Sequence, residues 1–204
     1  MAYDFNGSAD YVEALSAPVT GVPLTMACWF NADNVTNNHI LMSLTDGGTT
    51  NRFLLEANGS ITSDPIRART INQNASSATG FSASTWHHAA GRFSTTTNRR
   101  AYIDGVGGTA NTGSATPTGI NNTRLANHST AYLAGLLAEA AIWNTDLTDD
   151  EIAALAKGFR PSLIRPENLV LYVPLIREID DYARGVSLSN GGAPAVAVHP
   201  RRIG

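Results

Sequence analysis

Carboxylates come first among the residues that could do chemistry here, because glycoside hydrolysis needs two of them flanking one bond. The chain offers Glu13, Glu56 and Glu139, each alone in its own run. Carboxylates share a strand face only at i, i+2 and beyond, so none of these makes a pair along its strand. The one acidic cluster, Glu178-Ile-Asp180-Asp181, falls in an irregular stretch and reads as a solvated loop. No catalytic residue is assigned, and the chain is expected not to be an enzyme. His87-His88 has the look of a metal pair, but neighbouring strand residues point to opposite faces and cannot grip one ion. His39 and His128 have no ligand spacing to either. There is no Gly-x-Ser-x-Gly elbow, and Cys28, the only cysteine, sits in an apolar run where a thiol is a small buried hydrophobe. Gly47-Gly48 and Gly107-Gly108 read as turns, since no helix follows them to receive a phosphate.

Binding chemistry is easier to place than catalysis. Asp33, Asp46 and Asp104 lie in or beside loops, where carboxylates and backbone carbonyls could give calcium its oxygen ligands. Calcium is therefore the one cofactor candidate; otherwise none is expected. Trp29, Trp86 and Trp143 could stack on a sugar ring, although each lies in a β-run, and core packing is expected for at least two. His88 and Arg92, four apart on one strand face, together with Arg52, are the candidate ligand-binding residues.

Those residues need a scaffold, and composition says which kind. Of 204 residues 43% are hydrophobic, enough for a packed core, but only 15% are charged. The surface must then rely on Thr, Ser, Asn and Gly, which suit strands and turns. The net charge of −3 leaves no basic excess to neutralise phosphates, so no nucleic-acid partner is expected. Arg160, Arg165, Arg177, Arg184, Arg201 and Arg202 concentrate late in the chain, either as a docking segment or as a solvated tail. The opening Met1-Ala-Tyr-Asp-Phe has neither a basic n-region nor an apolar h-region, and no apolar run is long enough to span a bilayer. Synthesis as a soluble cytoplasmic protein, without a membrane partner, is the expectation.

Pro23 to Phe30 alternates Leu24, Met26, Cys28 and Phe30 on one face with Thr25, Ala27 and Trp29 on the other, which is a strand period. Further strands are expected at His39 to Leu44, Arg52 to Ala57, Ile66 to Ile71, Trp86 to Phe93, Arg100 to Asp104, Tyr132 to Asn144 and Leu169 to Leu175. Asp104-Gly105 is a type I′ hairpin signal. Gly107 to Thr123 reads as a long surface loop or ragged edge strands. Thr148-Asp149-Asp150-Glu151 is a capping box, and it starts a helix that Gly158 ends. So short a helix, with an apolar stripe of only Ile152, Leu155 and Ala156, is expected against the edge of the sandwich.

Several of these runs, in order, resemble the concanavalin A-like lectin/glucanase, or laminin-G-like, jelly rolls. Tyr3-Asp-Phe-Asn-Gly-Ser-Ala-Asp-Tyr-Val12 is similar to their first strand, and Pro23-Leu-Thr-Met-Ala-Cys-Trp-Phe30 to a later one. Trp86-His-His-Ala-Ala90 with Ala101-Tyr-Ile-Asp-Gly105 resembles their Trp-His-His-Val-Ala and Tyr-Val-Asp-Gly hairpin. Ala138-Glu-Ala-Ala-Ile-Trp-Asn144 and Leu147-Thr-Asp-Asp-Glu-Ile152 resemble their last strand and terminal helix. The resemblance implies an all-β, two-sheet antiparallel jelly-roll sandwich with one short helix near the C-terminal end. It spans 1–175, leaving 176–204 as an irregular extension and candidate docking segment. Catalytic members carry a Glu-x-Asp-x-x-Glu strand, which is missing here. Tyr172 to Asp181 and Val198 to Gly204 are similar to the ends of such domains in bacteriophage virion proteins. This second likeness implies a virion-associated structural or decoration protein of a phage head, tail or fibre, bound to other virion proteins or to itself as a homo-oligomer. The alternative is a carbohydrate-binding adhesion module for cell-surface glycans.

Overall fold

A computed structural model describes residues 2–200 as two antiparallel sheets packed face to face, with one α-helix. Its first seven strands are β1 (Ala2–Asn6), β2 (Tyr11–Ala14), β3 (Leu24–Ala32), β4 (Asn38–Thr45), β5 (Arg52–Asn58), β6 (Pro65–Thr70) and β7 (Gln73–Gly80). Next come β8 (His87–Thr95), β9 (Asn98–Ile103), β10 (Val106–Gly107), β11 (Asn122–Leu125), β12 (Asn127–His128), β13 (Ala131–Tyr132) and β14 (Ala134–Trp143). Helix α1 (Asp149–Ala156) precedes β15 (Leu169–Val173), β16 (Ser189–Gly191) and β17 (Ala195–Ala197). One sheet runs β10-β9-β8-β3-β14-β1-β17, with β15 beside β14. The other runs β16-β2-β11-β4-β5-β6-β7, and β12 pairs with β13 in a separate hairpin.

Alternation decides which side chains meet between the sheets. On β3, Leu24, Met26, Cys28 and Phe30 enter the main core with Phe53, Leu55, Phe93, Leu137 and Ile142. Burial pushes the Cys28 thiol far up, so it stays protonated and inert. Asp104 and Gly105 turn β9 into β10 with φ of 50° and 82°, the two left-handed residues of a type I′ turn.

The expected first strand is two strands in two sheets. Asn6 Oδ1 accepts from the amides of Ser8 (2.9 Å) and Ala9 (2.9 Å), and Gly7 takes φ of 75°, which turns the chain between them. Strand β7 was not expected at all, because Gln73–Gly80 is polar and lacks an apolar alternation.

Helix α1 has the expected cap. Thr148 Oγ1 accepts from the Glu151 amide at 3.3 Å, and Glu151 accepts from the Thr148 amide at 2.7 Å. Its position differs from expectation: it lies on the outer face of the eight-stranded sheet, not at an edge. Ile152 and Leu155 are buried there with Ala27, Ala90, Tyr102, Trp143 and Leu147, a second core. Small residues at Ala27 and Ala90 leave room for so short a helix to seat. Asp149 fastens it, accepting from Arg92 (2.7 Å), Arg100 (2.8 Å) and the Tyr102 hydroxyl (2.8 Å).

The tail also differs from a free extension. Strand β16 adds to β2 in one sheet and β17 to β1 in the other, so 189–197 closes an edge of each. Asp181 folds the connection back, accepting from the amides of Tyr172 (2.7 Å), Ala183 (2.9 Å), Arg184 (3.1 Å) and Val186 (2.9 Å). Arg165 pairs with Glu151 at 2.6 Å, and Arg184 donates to the Glu167 and Leu169 carbonyls. Arg201 and Arg202 lie outside the described residues.

Candidate functional site

The outer face of the seven-stranded sheet carries rows of polar and charged side chains. Because Phe53, Leu55 and Ala57 point into the core, Arg52, Leu54 and Glu56 point out. Register then lines up rows across the strands. One runs Glu13, Arg124, Ser43, Leu54, Arg69, Asn74; a second runs Asn122, Thr45, Arg52; a third runs Ile40, Glu56, Arg67, Ser76. Glu56 is fully buried and pairs with Arg67 at 3.1 Å and Arg69 at 3.6 Å. Glu13 accepts from Arg124 (2.7 Å) and Asn122 (2.8 Å), which hold its carboxyl below the usual range despite partial burial. Arg124 also stacks over Tyr11 at 5.0 Å.

A cleft of about 110 Å³ opens on this face, lined by Ser43, Thr45, Asn122, Arg124 and His128 and by the loop Gly47 to Thr49. The floor is the two adjacent strands β4 and β11; the walls are that loop and the β12–β13 hairpin. Ser43 Oγ donates to the Asn127 carbonyl at 2.9 Å, and Arg124 donates to Asn127 Oδ1 at 3.0 Å, which fixes the hairpin over the sheet. Asp46 braces the opposite loop, accepting from Asn51 Nδ2 and the Gly48 amide, both at 2.9 Å. Those bonds hold its carboxyl below the ordinary range. His128 is pushed down to about 4, first by burial and then by the charges of Arg52, Arg69 and Arg124, against a smaller pull from Asp46. It is neutral at pH 7, one nitrogen a donor and the other an acceptor. Arg52 borders this cleft opposite Thr45; its Nη2 donates to the Ile71 carbonyl at 3.3 Å, and its Nε is buried without a hydrogen-bond partner.

The three candidate ligand-binding residues therefore do not form one site. Arg52 borders the cleft, whereas His88 and Arg92 lie on the outer face of the other sheet. Arg92 is committed to Asp149 and to the Leu147 carbonyl at 3.1 Å, as a strut beneath the helix. His88 is 2% exposed, edge-on to Trp29, and burial pushes it down to about 4. No sequence spacing announced the helix folding back over them. The calcium candidates do not converge either: among the described residues no three His, Cys, Asp or Glu side chains gather around one point. Asp104 instead accepts from His87 Nδ1 (2.7 Å) and the His88 amide (2.8 Å), Asp46 braces its loop, and Asp33 stands exposed after β3. Of the tryptophans, only Trp143 is fully buried, its indole donating to the Ile164 carbonyl at 2.7 Å; Trp29 and Trp86 are half-buried.

Sequence reasoning missed His128, Arg69 and Arg124. The alternation of Ile66 to Ile71 does put Arg67 and Arg69 on one face, but which sheet, and which way it faced, was not legible. A larger open groove of about 950 Å³ runs along the sandwich edge between β7 and Gly107 to Asn111. There Arg100 donates to the Gly107 and Gly108 carbonyls and to Asp149.

The profile of the concanavalin A-like lectin/glucanases superfamily matches residues 6–153. No curated protein sequence matches the chain. Among solved structures, a native heptameric SAP-like pentraxin from Limulus polyphemus aligns at a TM-score of 0.64 and 12% identity, covering 93% of this chain and 94% of that one. The CBM40 of the Ruminococcus gnavus IT-sialidase, bound to α2,3-sialyllactose, aligns at 0.60 and 16%, covering 76% and 96%. Domain 4 of an extracellular GH43 arabinanase from Geobacillus stearothermophilus, in complex with arabinotriose, aligns at 0.57 and 18%, covering 68% of each. At these identities the likeness is one of fold.

Proposed function

The chain belongs to the concanavalin A-like lectin/glucanases superfamily, and from that premise we propose that it is a non-catalytic carbohydrate-binding module. The observation that carries this is the cleft on the seven-stranded face: hydroxyl, amide, imidazole and guanidinium groups converge there on a space with backbone walls. Sugars present hydroxyls at fixed angles, and a preformed set of donors and acceptors of this kind recognises them without reordering. The sialidase CBM40 with sialyllactose and the arabinanase domain with arabinotriose show that similar sandwiches hold saccharides. Against hydrolysis, Glu13 and Glu56 share this face but are three strands apart, about 14 Å by strand spacing. Carboxylate pairs of glycosidases stand about 5 to 9.5 Å apart. Each is also neutralised by arginine.

The virion-associated structural reading has less support. It rests on a resemblance of the tail and on 176–204 as a candidate docking segment, of which 189–197 is paired into both sheets.

A glycan array tests the proposal. The wild-type chain should bind a restricted set of glycans. Thr49→Trp, on an exposed wall of the cleft, should abolish that binding while leaving the melting temperature unchanged. Equal array signals from the two proteins would refute the site, and a silent array would refute the function.

A further inference from the structure

We propose that the cleft selects saccharides that carry a carboxylate, with Arg52 and Arg69 supplying the attraction. This rests on the carbohydrate-binding reading and narrows it to a ligand class.

The lining contains no Trp, Tyr or Phe. A sugar in this cleft cannot be held by stacking on a broad ring, so hydrogen bonds and charge must supply the affinity. The charge is there in excess. Arg52, Arg67 and Arg69 face outward around a single carboxylate, Glu56, and the closer contact to Glu56 belongs to Arg67 at 3.1 Å. Arg124 is matched by Glu13 at 2.7 Å and adds no net charge. Asp46, on the far wall, stays ionised under the hydrogen bonds of Asn51 and Gly48 and opposes an incoming anion, which offsets part of that excess. His128 is neutral. The surplus therefore sits on Arg52 and Arg69, on the adjacent strands β5 and β6: Arg52 is paired with Thr45 of the cleft floor, and Arg69 lies one strand further out.

Arg52 is also underused. Its Nε is out of contact with water and lacks a hydrogen-bond partner, and its Nη2 makes one long bond at 3.3 Å. The Nε is closed to a ligand as well as to water, so an incoming carboxylate would be met by the terminal nitrogens of the guanidinium. Guanidinium groups bind carboxylates through parallel hydrogen bonds that a neutral hydroxyl cannot reproduce. The whole chain carries a net charge of −3, so this attraction is local and not a general affinity for polyanions.

The test is calorimetric titration with matched pairs: 3′-sialyllactose against lactose, and oligogalacturonate against its methyl ester. We expect a carboxylated member to bind about tenfold tighter than its neutral partner, with the gap shrinking as salt rises. Preference for one carboxylated sugar alone supports the proposal and identifies the source of the carboxylate. Arg52→Gln and Arg69→Gln should each remove most of the preference with little change in melting temperature, since Arg67 still neutralises Glu56. Lys157→Gln, the same change of charge on the exposed C-cap of the helix, should not. Equal affinity for charged and neutral partners would overturn the inference and leave sugar binding standing. An equal loss in Lys157→Gln would also overturn it, by showing a net-charge effect. No binding of any saccharide would overturn the underlying reading as well.

Discussion

His128 is held neutral first by burial and then by the charges of Arg52, Arg69 and Arg124, and the second part makes it a reporter of the cleft's field. Its imidazole should titrate near 4 by NMR, and Arg52→Gln should move it upward towards the ordinary value near 6.5. An unperturbed midpoint in the wild-type chain would show that the arginines do not surround it. His88 is depressed by burial beneath the helix, with Asp104 opposing, and it carries the complementary stability effect. For a histidine with a lowered folded pKa the unfolded chain binds more protons between the two values. Stability is then fully present above about 6.5 and is lost as pH falls towards 4, by about 3 kcal/mol for His88. His88→Phe should flatten the fall in melting temperature across that window; an unchanged slope would place the sensitivity elsewhere. Burial of His88 was not legible in the sequence, because a histidine on a strand face reads the same whether water or a helix covers it.

At the scale of elements, what could be read depended on whether a segment declared its own partner. Strand β3 declared one through four alternating apolar residues, and the Thr148 box declared the helix start. Helix placement was not declared, because its seat is made by Ala27, Ala90 and Tyr102 from distant runs. The same holds for β7, β16 and β17, short or polar strands whose only qualification is an open edge to pair with. The cap should be worth about 1 kcal/mol, read as the loss in Thr148→Ala by denaturant titration. Asp149→Ala should cost more, about 2 kcal/mol, because the buried Tyr102 hydroxyl loses its acceptor and two arginines lose an anion. A cost for Asp149→Ala below that of Thr148→Ala would mean the helix is held by its apolar stripe alone.

For the molecule as a whole, the sandwich class and the family were legible, whereas the placement of the tail and of the site was not. A two-residue slip in the imagined boundary changes little, but assigning 176–204 outside the domain removes a strand from each sheet and the Asp181 turn. Truncation after Leu175 should therefore lower the melting temperature by several degrees or abolish a cooperative transition; an unchanged transition would return the tail to the status of an appendage. The site escaped the sequence for a related reason. Arg52, Arg69, Arg124 and His128 come from β5, β6, β11 and the β12–β13 hairpin, and only the sheet order brings them to one face. The most direct test of that convergence is amide chemical-shift mapping with the tightest saccharide found on the array. Perturbations should concentrate at Ser43 to Thr49 and Asn122 to Ser129. Shifts confined to Asn74 to Ala78 and Gly107 to Asn111 would place the ligand in the edge groove and contradict the cleft.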